Sequence, residues 1–117
     1  MKIDELKTPA FLVDLPKLKI NIRAMQERAR RHGVRLRPHV KTHKTAEIAR
    51  LQIADEASGI TVSTLAEAHF FQKAGFDDIT YAFPITPSKL DEAALFPKYH
   101  VVEGNQVVDE WRPMRGW

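Results

Sequence analysis

The chain's 117 residues leave room for one small domain, and a composition of 44% hydrophobic and 28% charged residues is globular, excluding a polar disordered chain and a membrane-embedded one. It contains no cysteine, which removes disulfides, thiolate nucleophiles and zinc–cysteine sites from consideration. The net charge of +3 is local: between Glu27 and Lys44 stand seven Lys or Arg, three His and one Glu, without the interleaved aromatics that stacking on single-stranded nucleic acid requires, so no nucleic-acid partner is expected.

From the N-terminus, "MKIDELKTPAF" lacks the apolar core of a signal peptide, and no later run approaches the roughly 18 apolar residues of a spanning helix. A cytoplasmic protein without membrane contact is the expectation. Ala10 to Val13 reads as a short strand. A helix over 15–32 follows, with Asp14 as N-cap, Pro16 in the first turn, and Leu18, Ile22, Met25 and Ala29 at helical spacing, ended by Gly33. "VRLRPHV" predicts a strand from about Val34 to Val40, weakened by Pro38 and ending within a residue or two of Lys41.

The pattern then repeats. "TAEIARLQIADEA" predicts a helix over 45–56 capped by Thr45, "GITVST" a buried strand, "TLAEAHFFQKAGF" a helix over 64–74 stopped at Gly75, and "DITYAFP" another strand. A helix over 88–95 is capped by Ser88. Alternating strands and helices predict an α/β architecture: about three βα units of an incomplete parallel barrel over residues 1–97. In the tail, "YHVVEGNQVVDEWRPMRGW", two β-rich runs flank Glu103, Gly104 and Asn105, which predicts a C-terminal β hairpin segment over 98–117.

"RPHVKTHK", Arg37 to Lys44, sets three Lys or Arg and two histidines within eight residues. It could grip an acid, feed a metal or present a reactive amine. In an extended strand Arg37, His39 and Lys41 share one face. A lysine at the C-terminal end of a parallel strand stands where α/β barrels place their chemistry, and burial beside other cations would lower its pKa toward a nucleophilic amine able to form a Schiff base with an aldehyde. The plainer alternative is a solvated loop lysine. A metal held by His39 and His43 fits less well, because residues four apart share a face on a helix and this stretch does not read as helical.

With "TPAFLVDLPKLKINI", "RLRPHVKTHK" and "GITVSTLAEAHFFQKAGFDDITYAFPI" together, residues 8–97 resemble the N-terminal half of the D-threonine aldolase and D-serine dehydratase group, within the alanine racemase-like pyridoxal phosphate enzymes. The resemblance implies a TIM-type barrel whose first lysine after the opening strand, here Lys41 rather than Lys44, carries the Schiff base with pyridoxal phosphate. With the alternation along the strand, His39 and Arg37 are expected to line the same mouth, with His43 and Lys44 on the loop beyond.

The implied reaction is retro-aldol cleavage or dehydration of a small D-β-hydroxy amino acid, by a chain that is dimeric in the family. The tail resembles that family's closing β strands, so the sequence reads as both ends of such an enzyme without its middle. The divalent metal (manganese or zinc) that the family uses therefore has no site expected here, because His100 is the tail's lone imidazole. Weak or no turnover is expected of the chain as it stands. A non-catalytic pyridoxal phosphate-binding protein, or an inactive remnant, is the alternative.

Overall fold

The computed structural model describes residues 2–54, 59–95, 99–103 and 106–108. Helix α1 spans Leu15–Arg31. Its start is fixed by the Asp14 carboxylate, which accepts the Lys17 N–H at 3.0 Å, with proline in the first turn where no intrahelical donor is lost. Its end is a Schellman turn: the Gly33 N–H reaches Arg30 O at 3.0 Å and the Val34 N–H reaches Ala29 O at 3.1 Å, with Gly33 at φ +64.

Helix α2 spans Ala46–Ile53. Strand β1 is Ile60–Val62, helix α3 Leu65–Lys73, strand β2 Ile79–Tyr81 and the short helix α4 Leu90–Ala93, entered through a 3₁₀ turn at Pro87–Lys89. Strands β3, Tyr99–Glu103, and β4, Gln106–Val108, complete one four-stranded sheet ordered β1-β2-β3-β4. The first three strands are parallel, and β4 runs antiparallel to β3 with Glu103 aligned on Gln106. The hairpin expected of the tail is therefore present, and its first strand extends the parallel sheet rather than starting another. Gly104, Asn105, Asp109 and Glu110 lie outside the described residues.

Two expected strands are not formed. Ala10 to Val13 is exposed and joins no ladder among the described residues, and a strand without a partner leaves its backbone groups to water. From Val34 to Val40 only His39 makes a bridge, parallel to Thr61, with the Thr61 N–H on Pro38 O at 2.8 Å. Pro38 has no N–H to return, so the ladder stops there and the chain turns into a 3₁₀ turn at Val40–Thr42.

Alternation along the strands sorts the two sheet faces. Ile60, Val62, Ile79 and Tyr81 join Val40, Leu65, Ala68 and Phe71 in one apolar core beneath the helices. Phe71 is fully buried at its centre, its ring edge-on to Phe70 at 5.1 Å and to Phe76 at 5.5 Å. Phe76 is placed by the Schellman turn that ends α3, where its N–H reaches Phe71 O at 3.1 Å. His39, Thr61 and Thr80 align in register on the opposite face.

Candidate active site

The His39 bridge to Thr61 puts Val40 to Lys44 just beyond the C-terminal end of β1, beside Ser63 and the first turn of α3. In a parallel sheet that end is where helix N-termini and loops converge on a ligand. Lys41 sits in the 3₁₀ turn with its side chain exposed, so the burial expected of it is not present, and among the described residues no carboxylate lies within ion-pair distance of its amine.

His39 holds that turn. Its Nδ1 accepts the Lys41 N–H at 3.3 Å, which leaves the ring proton on Nε2, 3.1 Å from the Ser63 hydroxyl. Burial, then the Lys41 ammonium, hold the His39 pKa below its ordinary value, with Glu67 pulling weakly the other way. The imidazole is thus neutral near pH 7.

His43 serves the loop rather than the mouth: its Nδ1 accepts the Thr45 N–H at 3.1 Å and its Nε2–H faces Gln52 Oε1 at 3.0 Å. Thr45 caps α2 with no side-chain bond to the helix, because its hydroxyl donates instead to His43 O at 2.7 Å. Lys44 has φ +49, the one non-glycine residue with positive φ among the described residues.

Arg37 stands elsewhere. Its guanidinium makes a two-pronged pair with Asp78, Nη1 to Oδ1 at 2.7 Å and Nη2 to Oδ2 at 3.0 Å, at the N-terminal ends of β1 and β2. The expectation that it shares a mouth with His39 and Lys41 does not match this placement: Asp78 supplies a carboxylate that planar guanidinium matches better than solvent does. Gly59 makes the pairing possible, because at φ +78 a Cβ there would overlap the Asp78 carbonyl and lie 2.5 Å from Arg37 Nη1.

Two residues at the site went unremarked in the sequence. Glu67 is buried, and its carboxylate accepts the Ser63 N–H at 2.9 Å and pairs with Lys44 Nζ at 3.2 Å. Burial pushes its pKa up, but the Ser63 N–H, the Lys44 ammonium and the Thr64 N–H together outweigh burial and hold it below the usual carboxylate value. Ser63 in turn presents its hydroxyl to His39. The signal was available: "TLAE" is a capping box, Thr64 accepting the Glu67 N–H at 3.1 Å, and such a Glu reaches back past the helix start.

Among the described residues no group of three or more His, Asp or Glu could hold a metal ion, and no helix is long and apolar enough to cross a membrane. A groove of about 440 Å³ lies between α1 and residues 36–38, lined by Leu18, Ile22, Met25, Leu36 and Pro38, apart from Lys41.

A mainly parallel sheet with helices over its apolar face and a lysine-bearing turn at its strand ends defines an α/β protein. The chain belongs to the alanine racemase N-terminal domain family, whose model matches residues 13–113. It is 52% identical over 88 residues to D-threo-3-hydroxyaspartate dehydratase of Delftia sp., covering 75% of this chain and 23% of that one. It is 46% identical over 96 residues to D-serine dehydratase of Dictyostelium discoideum, covering 78% and 24%. The crystal structure of D-threonine aldolase from Filomicrobium marinum superposes with a TM-score of 0.76 at 30% identity, over 85% of this chain and 28% of that one. The chain spans about a quarter of the length of the curated relatives it matches.

Proposed function

We propose that the chain carries the lysine-bearing part of a pyridoxal phosphate-dependent lyase acting on small D-β-hydroxy amino acids, with Lys41 as the amine that holds the cofactor. The observation that carries this reading is the position of Lys41: just beyond the C-terminal end of β1, on a turn fixed by the neutral His39, without a carboxylate partner among the described residues. Support comes from the family and from relatives named for D-3-hydroxyaspartate, D-serine and D-threonine.

The residues present fit such a group. Lys41 offers an accessible amine for the cofactor's aldehyde, and His39 offers a neutral ring edge beside it. When bound, the cofactor supplies an electron sink for cleavage at the substrate Cα. The chain's own contribution is to hold the amine: His39 Nδ1 fixes the Lys41 N–H, Ser63 fixes His39, and Glu67 fixes Ser63. Arg37, expected in the cofactor mouth, is assigned instead to holding the two strand starts together through Asp78.

The reading includes an incomplete barrel over 1–97 and a C-terminal β segment over 98–117 that resembles the family's closing strands and whose β3 continues the same sheet. It also includes a manganese or zinc requirement and a dimer in longer family members. Weak turnover by this chain follows from its spanning a quarter of the relatives' length, and the exposure of Lys41 favours a second reading in which it binds the cofactor without catalysis. The test is visible absorbance on adding pyridoxal phosphate, then turnover of D-3-hydroxyaspartate, D-threonine and D-serine with manganese or zinc, wild type against Lys41→Ala. A band lost in the variant supports cofactor binding at Lys41, and turnover lost with it supports the lyase. A band that survives in Lys41→Ala overturns the assignment.

A further inference from the structure

Two lysines stand three residues apart on the same turn, and their surroundings differ in one group. Lys44 Nζ lies 3.2 Å from a Glu67 carboxylate whose side chain is 9% exposed, while Lys41 has no carboxylate within that reach among the described residues. Resting on the reading of Lys41 given above, we propose that Glu67 is the residue that decides which of the two is the reactive amine, by holding Lys44 as a paired ammonium and fixing the turn that presents Lys41.

The chemistry requires such a choice. Forming the carbon–nitrogen double bond with an aldehyde needs an unprotonated amine: its lone pair attacks the carbonyl carbon, the nitrogen gives up two protons overall, and the carbonyl oxygen leaves as water. An ammonium held against a carboxylate must first surrender its proton and the pairing with it, so Glu67 makes Lys44 the slower nucleophile. The same carboxylate accepts the Ser63 N–H at 2.9 Å, Ser63 Oγ meets His39 Nε2 at 3.1 Å, and His39 Nδ1 receives the Lys41 N–H at 3.3 Å. On the other side Lys44, at φ +49, closes the turn through its N–H on Val40 O at 2.9 Å. A residue with positive φ costs backbone energy that neighbouring contacts must offset, and the Glu67 pair is one such contact. The carboxylate thus holds Lys44 directly and His39 through Ser63, and Lys41 lies between those two residues on the turn.

The test uses the full chain and pyridoxal phosphate as the probe. Adducts are fixed with borohydride at low conversion, and the ratio of modification at Lys41 to that at Lys44 is read by peptide mass mapping across pH. Exposed Lys73 is the internal reference. The wild type is expected to favour Lys41. Glu67→Gln, checked for intact fold by circular dichroism, is expected to lower the Lys41:Lys44 ratio about fivefold, the scale of one partly exposed ion pair. Glu67→Asp is expected to restore part of it. A folded Glu67→Gln protein with an unchanged ratio overturns the role of Glu67 while leaving Lys41 as the site. If the variant does not fold, the wild-type rates decide: Lys44, paired with Glu67, must be modified more slowly than exposed Lys73, and equal rates refute the inference. A wild type with no preference for Lys41 over Lys73 removes the underlying reading and the inference with it.

Discussion

Replacing Arg37 by Met separates a strand-end clamp from a cofactor contact. The Arg37–Asp78 pair is two-pronged at 2.7 and 3.0 Å, with side chains 25% and 30% exposed. At an effective dielectric near 20, two charges about 4 Å apart attract by about 4 kcal/mol, but desolvation and residual solvent screening cancel much of that. Being less exposed than a surface pair and wetter than a buried one, it contributes about 1–3 kcal/mol. Urea unfolding of wild type, Arg37→Met, Asp78→Asn and the double variant gives the coupling directly, expected at about 1–2 kcal/mol. Below the variant's unfolding transition, pyridoxal phosphate trapping at Lys41 is expected to stay near the wild-type level. Unchanged stability with trapping abolished would refute this assignment and return Arg37 to the cofactor mouth.

Phe71→Ala removes the ring at the centre of the core and is expected to cost about 3–5 kcal/mol, a large part of the stability of a chain of this size, measured by urea unfolding. Gly59→Ala forces a side chain into φ +78 against the Asp78 carbonyl and is expected to lower stability by at least about 1–2 kcal/mol in the same assay. The pH dependence of stability follows from His39: its pKa is depressed in the folded chain, so the unfolded chain takes up the proton first. Stability is therefore full above about pH 6.5 and falls as pH drops toward the lowered value. His39→Asn should remove that part of the dependence, read by thermal melts between pH 7 and 5.

Much of the local structure was legible because it is local. Asp14, Gly33 and Gly75 mark the ends of α1 and α3 through contacts made within a few residues; the limits 15–32 differ from the observed α1 by one residue at its end, and 64–74 from α3 by one residue at each end. Ser88, by contrast, lies inside a 3₁₀ turn and bonds Thr86 Oγ1 at 3.2 Å rather than capping a helix. What a sequence of extended character cannot say is whether a partner strand exists: Val34 to Val40 has strand composition, yet Pro38 and a single bridge leave it irregular. At the site, Lys41 and His39 stand out by type, but the partners of Arg37 and Lys44 lie 41 and 23 residues away, at Asp78 and Glu67, and only the fold brings those carboxylates to them.

The central claim is that Lys41 is the amine that takes pyridoxal phosphate. Intact-mass and peptide mapping of the wild-type chain after stoichiometric pyridoxal phosphate and borohydride test it most directly. A single reduced adduct on the peptide bearing Lys41, absent from Lys41→Ala, is the expected result; adducts spread over Lys17, Lys44, Lys73 and the other lysines in proportion to their exposure would contradict it.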